Sequence, residues 1–254
     1  MSDNKDKPFF VGYLTAPDGL RSFLIGIGIG LVLLMAGVGL GIGATQDDPG
    51  NGAFRGDYGR QTVTGVMELT PYPVVRVTQG SEHVPEGHTL MLSAGGKQSL
   101  MNRVRDLDGE LVTVSGTILD RGELDMMQVR GGQNGIARAE GDAPEMESED
   151  LGRWRIAGEI CDGKCLAGAM RPGTGIAHKA CANLCLIGDI PPVFVSTQPV
   201  EGSEFLLVVG PGGTIFPKSA YDLVAAYISV EGKVVRHGDL LVFHLEPDTA
   251  ELVQ

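Results

Sequence analysis

From Ser22 to Gln46 no residue is charged, and Phe23 to Gly43 is almost wholly apolar. A run of about 20 residues at 1.5 Å rise crosses the hydrocarbon core of a bilayer. The pattern therefore predicts a transmembrane helix over 22–46, following a tail over 1–21. A cleaved signal peptide would carry an apolar core of about 7–15 residues behind a short basic head; this run is longer and its head contains aromatics. Beyond the run the period changes. Segments such as Val112-Thr-Val and Ile228-Ser-Val alternate with β-branched residues, which predicts strands.

Those strands repeat. Val112 to Leu124 aligns without a gap on Ile228 to Leu240 at an offset of 116, carrying Gly116 over Gly232 and Gly122 over Gly238. The same offset sets Leu90 over Leu206 and Leu107 over Leu223. Upstream, Pro73-Val-Val-Arg-Val matches Pro192-Val-Phe-Val-Ser, and Val63-Thr-Gly65 matches Ile156-Ala-Gly158. Each unit reads as three strands, a short helix and a two-stranded hairpin turning at Arg121-Gly122 or His237-Gly238. The helices are expected over Ser99–Asp108 and Lys218–Tyr227. Five strands with a helix between the third and fourth is the order of an OB-fold barrel. The fold class expected is thus mainly β: one N-terminal membrane helix, then two OB-like barrels over 60–130 and 151–250. Residues 131–150, rich in Gly, Ala, Glu and Asp, are expected to be a solvated linker.

Composition narrows the partners. The net charge is −12, and all of it falls after the apolar run, since Lys5, Lys7 and Arg21 balance Asp3, Asp6 and Asp18. Such a surface repels phosphate backbones, so nucleic acid is not expected despite the fold. The basic residues before the span and Asp47 and Asp48 after it favour a cytoplasmic N-terminus and periplasmic barrels in a bacterial inner membrane. Phe9 to Leu14 could anchor at the inner interface. Within the span Gly26, Gly30, Gly37 and Gly41 share one helix face, and Gly39 with Gly43 forms a second small-residue register. Glycine faces let helices approach closely in lipid, which points to a partner helix or a second copy.

The two units differ at one place. Seven residues separate Gly65 from Pro73, but 33 separate Gly158 from Pro192. All four cysteines lie in this enlarged loop, 159–191, as Cys161, Cys165, Cys181 and Cys185. The pattern is C-x3-C twice, with His178 three residues before Cys181 on an expected short helix from Ile176 to Leu186. Three chemistries fit. Two disulfides suit an even cysteine count outside the cytoplasm. A zinc or copper site could draw on Cys161, Cys165, His178, Cys181 and Cys185, with Met170 as a further soft ligand for copper. Thiol redox chemistry lacks the usual C-x-x-C.

Other motifs ask for less. His83, Glu86 and His88 share a loop and offer a weaker metal set. His237 reads as a turn residue, His244 as a packed strand residue, and Gly210-Pro-Gly-Gly213 as a structural turn. No catalytic signature is present, so no enzyme is expected.

The segment Lys164-Cys165…Met170-Arg-Pro172-Gly173-Thr-Gly175…His178-Lys-Ala-Cys181-Ala182…Cys185…Pro191-Pro192 resembles a family of bacterial membrane-anchored proteins associated with respiratory or molybdenum redox enzymes. The resemblance implies a redox-complex neighbourhood. The function expected is a non-catalytic accessory or assembly subunit of a respiratory membrane complex, without cofactor, whose disulfide-stapled loop docks on integral membrane subunits; a zinc, copper or haem handling protein is the alternative.

Overall fold

The computed structural model describes residues 18–45 and 50–253. It falls into two units, Met1–Asp48 and Pro49–Gln254. The tail with Phe9 to Leu14, Lys5 and Lys7, and Gln46 at the end of the expected span, lie outside the described residues. In the first unit helix α1 runs Asp18–Thr45. Its window Gly19–Ala44 is 26 residues long and unburied, about 39 Å at 1.5 Å per residue. That is long and apolar enough to span a membrane.

The second unit holds both barrels. Strand β1 (Ala53–Phe54) precedes β2 (Gln61–Leu69), β3 (Pro73–Gln79), β4 (Thr89–Ser93), helix α2 (Met101–Val104), β5 (Leu111–Arg121), β6 (Leu124–Val129) and β7 (Ile136–Arg138). Strands β2, β3, β4, β6 and β5 close into a ring. All its pairings are antiparallel except β4 with β6. Strand β8 (Ser148–Asp162), helix α3 (Lys179–Ile187), β9 (Pro192–Val200), β10 (Ser203–Val209), β11 (Ile228–His237), β12 (Leu240–Leu245) and β13 (Glu251–Leu252) follow. Here β8, β9, β10, β12 and β11 close the second ring, again with one parallel pair, β10 with β12. Both rings have the OB strand order, as the repeat requires.

The repeated glycines explain themselves. A Cβ on Gly65 or Gly158 would run into the backbone of Arg76 or Val195 on the next strand, and one on Gly232 would lie 2.5 Å from the Phe243 ring. Equivalent strands thus cross closely at equivalent places. The hairpins turn at Gly122 (φ 60°) and Gly238 (φ 65°), where a side chain would be strained.

The helices are shorter than the sequence suggests. The first covers Met101–Val104 and tightens to a 3-10 turn at Arg105–Leu107, and its counterpart is a 3-10 helix, Lys218–Leu223. Pro217 ahead of the second provides no capping side chain. The stretch 131–150 also holds more structure than a linker, because β7 pairs with β5 and β8 begins at Ser148.

Each barrel has its own interior core, and a third core joins them. Tyr72, Val74, Met91, Leu119, Leu124 and Met126 of the first barrel pack with Val193, Phe205, Leu207, Val209 and Val242 of the second. Polar contacts rim this seam. The Arg121 guanidinium lies 5.8 Å from the Phe205 ring centre, and Phe216 N donates to the Tyr72 hydroxyl at 3.2 Å.

His88 is the main ionic link. It bonds Asp125 of its own barrel at 2.7 Å and Asp239 of the other; Asp239 also accepts from Thr89 N at 2.8 Å. Burial alone would pull the imidazolium pKa down, but hydrogen bonds to Asp125 and Asp239 reverse this and raise it from 6.5 to about 10. Because the folded value is the higher, the stabilisation is complete below about pH 6.5, falls as the pH rises, and is gone above about pH 10. We expect the stability difference between wild type and His88→Ala, from urea midpoints, to shrink steadily across that window. A difference that stays constant from pH 6 to 10.5 would contradict the ionic link.

Candidate metal centre

The insert leaves β8 at Asp162 and returns at β9. Strand alternation at its start separates two neighbours. Cys161 is buried in the core between the barrels, where burial and then the nearby Glu159 carboxylate push its thiol pKa up. Asp162 faces the insert instead, fully buried. Its Oδ1 accepts from Cys165 N and its Oδ2 bonds His178 Nε2, both at 2.8 Å.

The chain then makes one helical turn over Cys165–Ala169, passes the Pro172–Gly175 bend, and enters a 3-10 turn over Ile176–His178 that runs into α3. Gly175 N donates to both Glu159 carboxylate oxygens, at 3.1 and 3.0 Å, which fixes the helix start. Cys181 and Cys185 are one turn apart on α3 and face Cys165. The Cys165 Sγ lies 4.0 Å from Cys181 Sγ and 3.9 Å from Cys185 Sγ. A His178 ring nitrogen joins Cys165 and Cys181 in one group of ligand atoms, all within 4.8 Å of one another.

All four cysteines are free thiols. The two-disulfide staple expected from the sequence is therefore not formed. The nearest sulfurs stand 3.9–4.0 Å apart, nearly twice the roughly 2.04 Å of a disulfide, and Cys161 faces a different core from the other three. Of the five-residue metal set, Cys165 groups closely with His178 and Cys181, and separately with Cys185 and Asp162, while Cys161 joins neither group. Met170 is exposed at the surface.

The spacing suits a tetrahedral ion. With zinc–sulfur bonds of about 2.3 Å, two thiolates on a tetrahedron sit about 3.8 Å apart. Three cysteines and a histidine form a common structural zinc set. The Asp162–His178 bond is of the carboxylate–imidazole kind that orients a ligating histidine. Zinc-bound thiols must also be deprotonated, and the surroundings favour this at Cys185. The Cys165 thiol and then Lys97 hold its pKa below the ordinary value, while the same hydrogen bond and burial raise that of Cys165.

Two lysines complete the site, and neither follows from cysteine spacing. Lys97 comes from the first barrel, in the turn after β4. Its Nζ donates to Cys181 Sγ at 2.8 Å, Cys185 Sγ at 3.2 Å and Cys181 O at 3.3 Å. Lys164 is buried and donates to Ala94 O and Gly96 O, at 2.6 and 2.8 Å. Asp162 could have been found by alternation along β8, since it must face away from Cys161. Lys97 could not, because its contact spans 84 residues.

The weaker histidine set does not assemble. His83 stacks on Tyr58 at 3.9 Å, while His88 is engaged by Asp125 and Asp239. His237 lies 3.3 Å from Glu68 in the seam, His244 is half-buried on β12, and Gly210 N closes a turn on Thr214 O at 2.7 Å. A Cβ on Gly26, Gly30 or Gly37 of α1 would meet nothing within 4 Å.

The fold and site define a tandem OB-barrel protein with an N-terminal apolar helix and a thiol–imidazole cluster in the first loop of its second barrel. The chain matches no family model, no curated protein and no solved structure.

Proposed function

We propose that this is a membrane-anchored, non-catalytic accessory protein whose second barrel holds one zinc ion through Cys165, His178, Cys181 and Cys185. The observation that carries the reading is a pair of overlapping ligand groups that share Cys165, one with His178 and Cys181 and one with Cys185 and Asp162, drawn from both ends of one 26-residue insertion. Zinc would give the insert the cross-link that disulfides do not supply, tying β8 to α3, and would keep the thiols from oxidation. Copper(I) would accept the same thiolates and is the competing ion. The test is zinc affinity by competition with a chelator. Asp162→Asn should weaken it by about 10–100-fold, the usual effect of losing the group that orients a ligating histidine. Unchanged affinity, or binding of copper alone, would sink the zinc assignment.

The anchor supports an assembly role beside it. The exposed glycine ridge at Gly26, Gly30 and Gly37 suits a close-packed helix of a redox-complex subunit or of a second copy. The charge around the span favours periplasmic barrels, which protease added to spheroplasts should then digest. If the protein co-purifies with a membrane complex in detergent, as this role requires, Gly37→Leu should release it, and retention of the variant would remove this role.

A further inference from the structure

The walls of the thiol cluster are unequal. Cys165, His178 and Cys185 are 5 %, 2 % and 1 % exposed. Cys181 is partly exposed, and what lies over it is the Lys97 ammonium.

That cover is built from both barrels. The turn Ala94–Gly96 that carries Lys97 is pinned from the insert side, because buried Lys164 donates to two of its carbonyls. Ser99 N donates to Gly188 O at 2.8 Å just past α3. A Cβ on Gly188 would strike the Lys97 carbonyl, so the two backbones touch there. The backbone on each side of Lys97 is thus fixed, and its long side chain is the free part. An ammonium has three protons, and all three have acceptors here: two thiol sulfurs and the Cys181 carbonyl.

We propose that Lys97 is a gate, a positioning residue that covers the solvent-facing Cys181 thiol, and that the ion exchanges with outside ligands through the place its ammonium occupies. The inference rests on the zinc reading above and deepens it: the ion is one that can be handed over, rather than a permanently sealed cross-link. Exchange at a metal–thiolate centre proceeds by an incoming ligand replacing a protein sulfur, and Cys181 is the sulfur in reach. A lysine seated on that sulfur covers the side from which an incoming ligand approaches and so hinders the replacement.

The experiment is transfer of zinc from the loaded full-length protein, in detergent, to excess 4-(2-pyridylazo)resorcinol, followed by absorbance in wild type, Lys97→Ala and Lys97→Arg. First-order transfer should run about ten times faster in Lys97→Ala and near the wild-type rate in Lys97→Arg, with thermal midpoints of loaded wild type and Lys97→Ala alike. Equal rates in wild type and Lys97→Ala, with zinc bound to both, would overturn the gate and leave the zinc site standing. Wild type that transfers nothing over hours would also overturn it, by making the site sealed. Wild type that takes up no zinc would overturn both readings. Lys97→Ala that loses zinc quickly only because it melts earlier would show a structural role and overturn the gate.

Discussion

Replacing Cys185 by serine should abolish stoichiometric zinc binding, whereas replacing Cys161 by serine should leave one ion per chain. The two cysteines flank the same insert and would be equivalent partners in a disulfide staple. The structure separates them. Cys185 is 1 % exposed on α3, beside Cys165 and Lys97, and Cys161 is 1 % exposed in the seam between the barrels. Loss of a direct ligand should cost more than the roughly 10–100-fold attached to an orienting partner. Because the ion binds only the folded site, zinc should raise the thermal midpoint of wild type and Cys161→Ser but not of Cys185→Ser. Cys161→Ser buries a hydroxyl in an apolar core and should itself be destabilised by about 1–3 kcal/mol. Loss of zinc from both to the same extent would mean that Cys161 is a ligand after all.

The second large effect concerns the barrels as a pair. Met126→Ala, in β6 of the first barrel, should shift the unfolding of the second barrel. Met126 is fully buried and packs in the shared core with Phe205, Leu207 and Val242, so truncation should cost about 2–5 kcal/mol. The chain has one tryptophan. Trp154 packs on the second barrel's interior core and reports that barrel by fluorescence. If the seam couples the two, the Trp154 transition in urea should move to lower denaturant by an amount matching that cost and coincide with loss of hydrogen-exchange protection in β2–β6. A Trp154 transition unmoved by the substitution would mean two independently folding barrels.

Much of this was legible in the sequence. The apolar run from Phe23 to Gly43 lies within one helix long and apolar enough to span a membrane. The gapless match of Val112–Leu124 to Ile228–Leu240 carried strands four and five of both barrels, because the glycines that allow close strand crossing recur in register. The insertion between Gly158 and Pro192 located the site. The seam was less visible. In β4 every residue from Thr89 to Ser93 is buried, and so is each from Phe205 to Val209 in β10. An unbroken apolar run of that kind signals burial on both faces, yet it cannot say what covers the second face. The two helices were overestimated because their length depends on how much barrel end needs covering, which local propensity does not encode.

Within the site, the cysteines were found and their grouping was not. Spacing treats Cys161 and Cys165 alike. Strand alternation separates them, sending Cys161 into the seam and Asp162 toward His178. Lys97 belongs to the other repeat, and only the docking of the two barrels brings it to the sulfurs.

The most direct measurement is the mass of the full-length protein, released from detergent under native conditions and again after unfolding with an alkylating agent and no reductant. A metal centre predicts the chain plus one zinc ion, less the protons it displaces, and alkylation of all four cysteines, which are free in the structure, once the protein is unfolded. A chain carrying no metal, lighter by about four protons and alkylated only after reduction, would contradict the account and restore the two disulfides that spacing alone suggests.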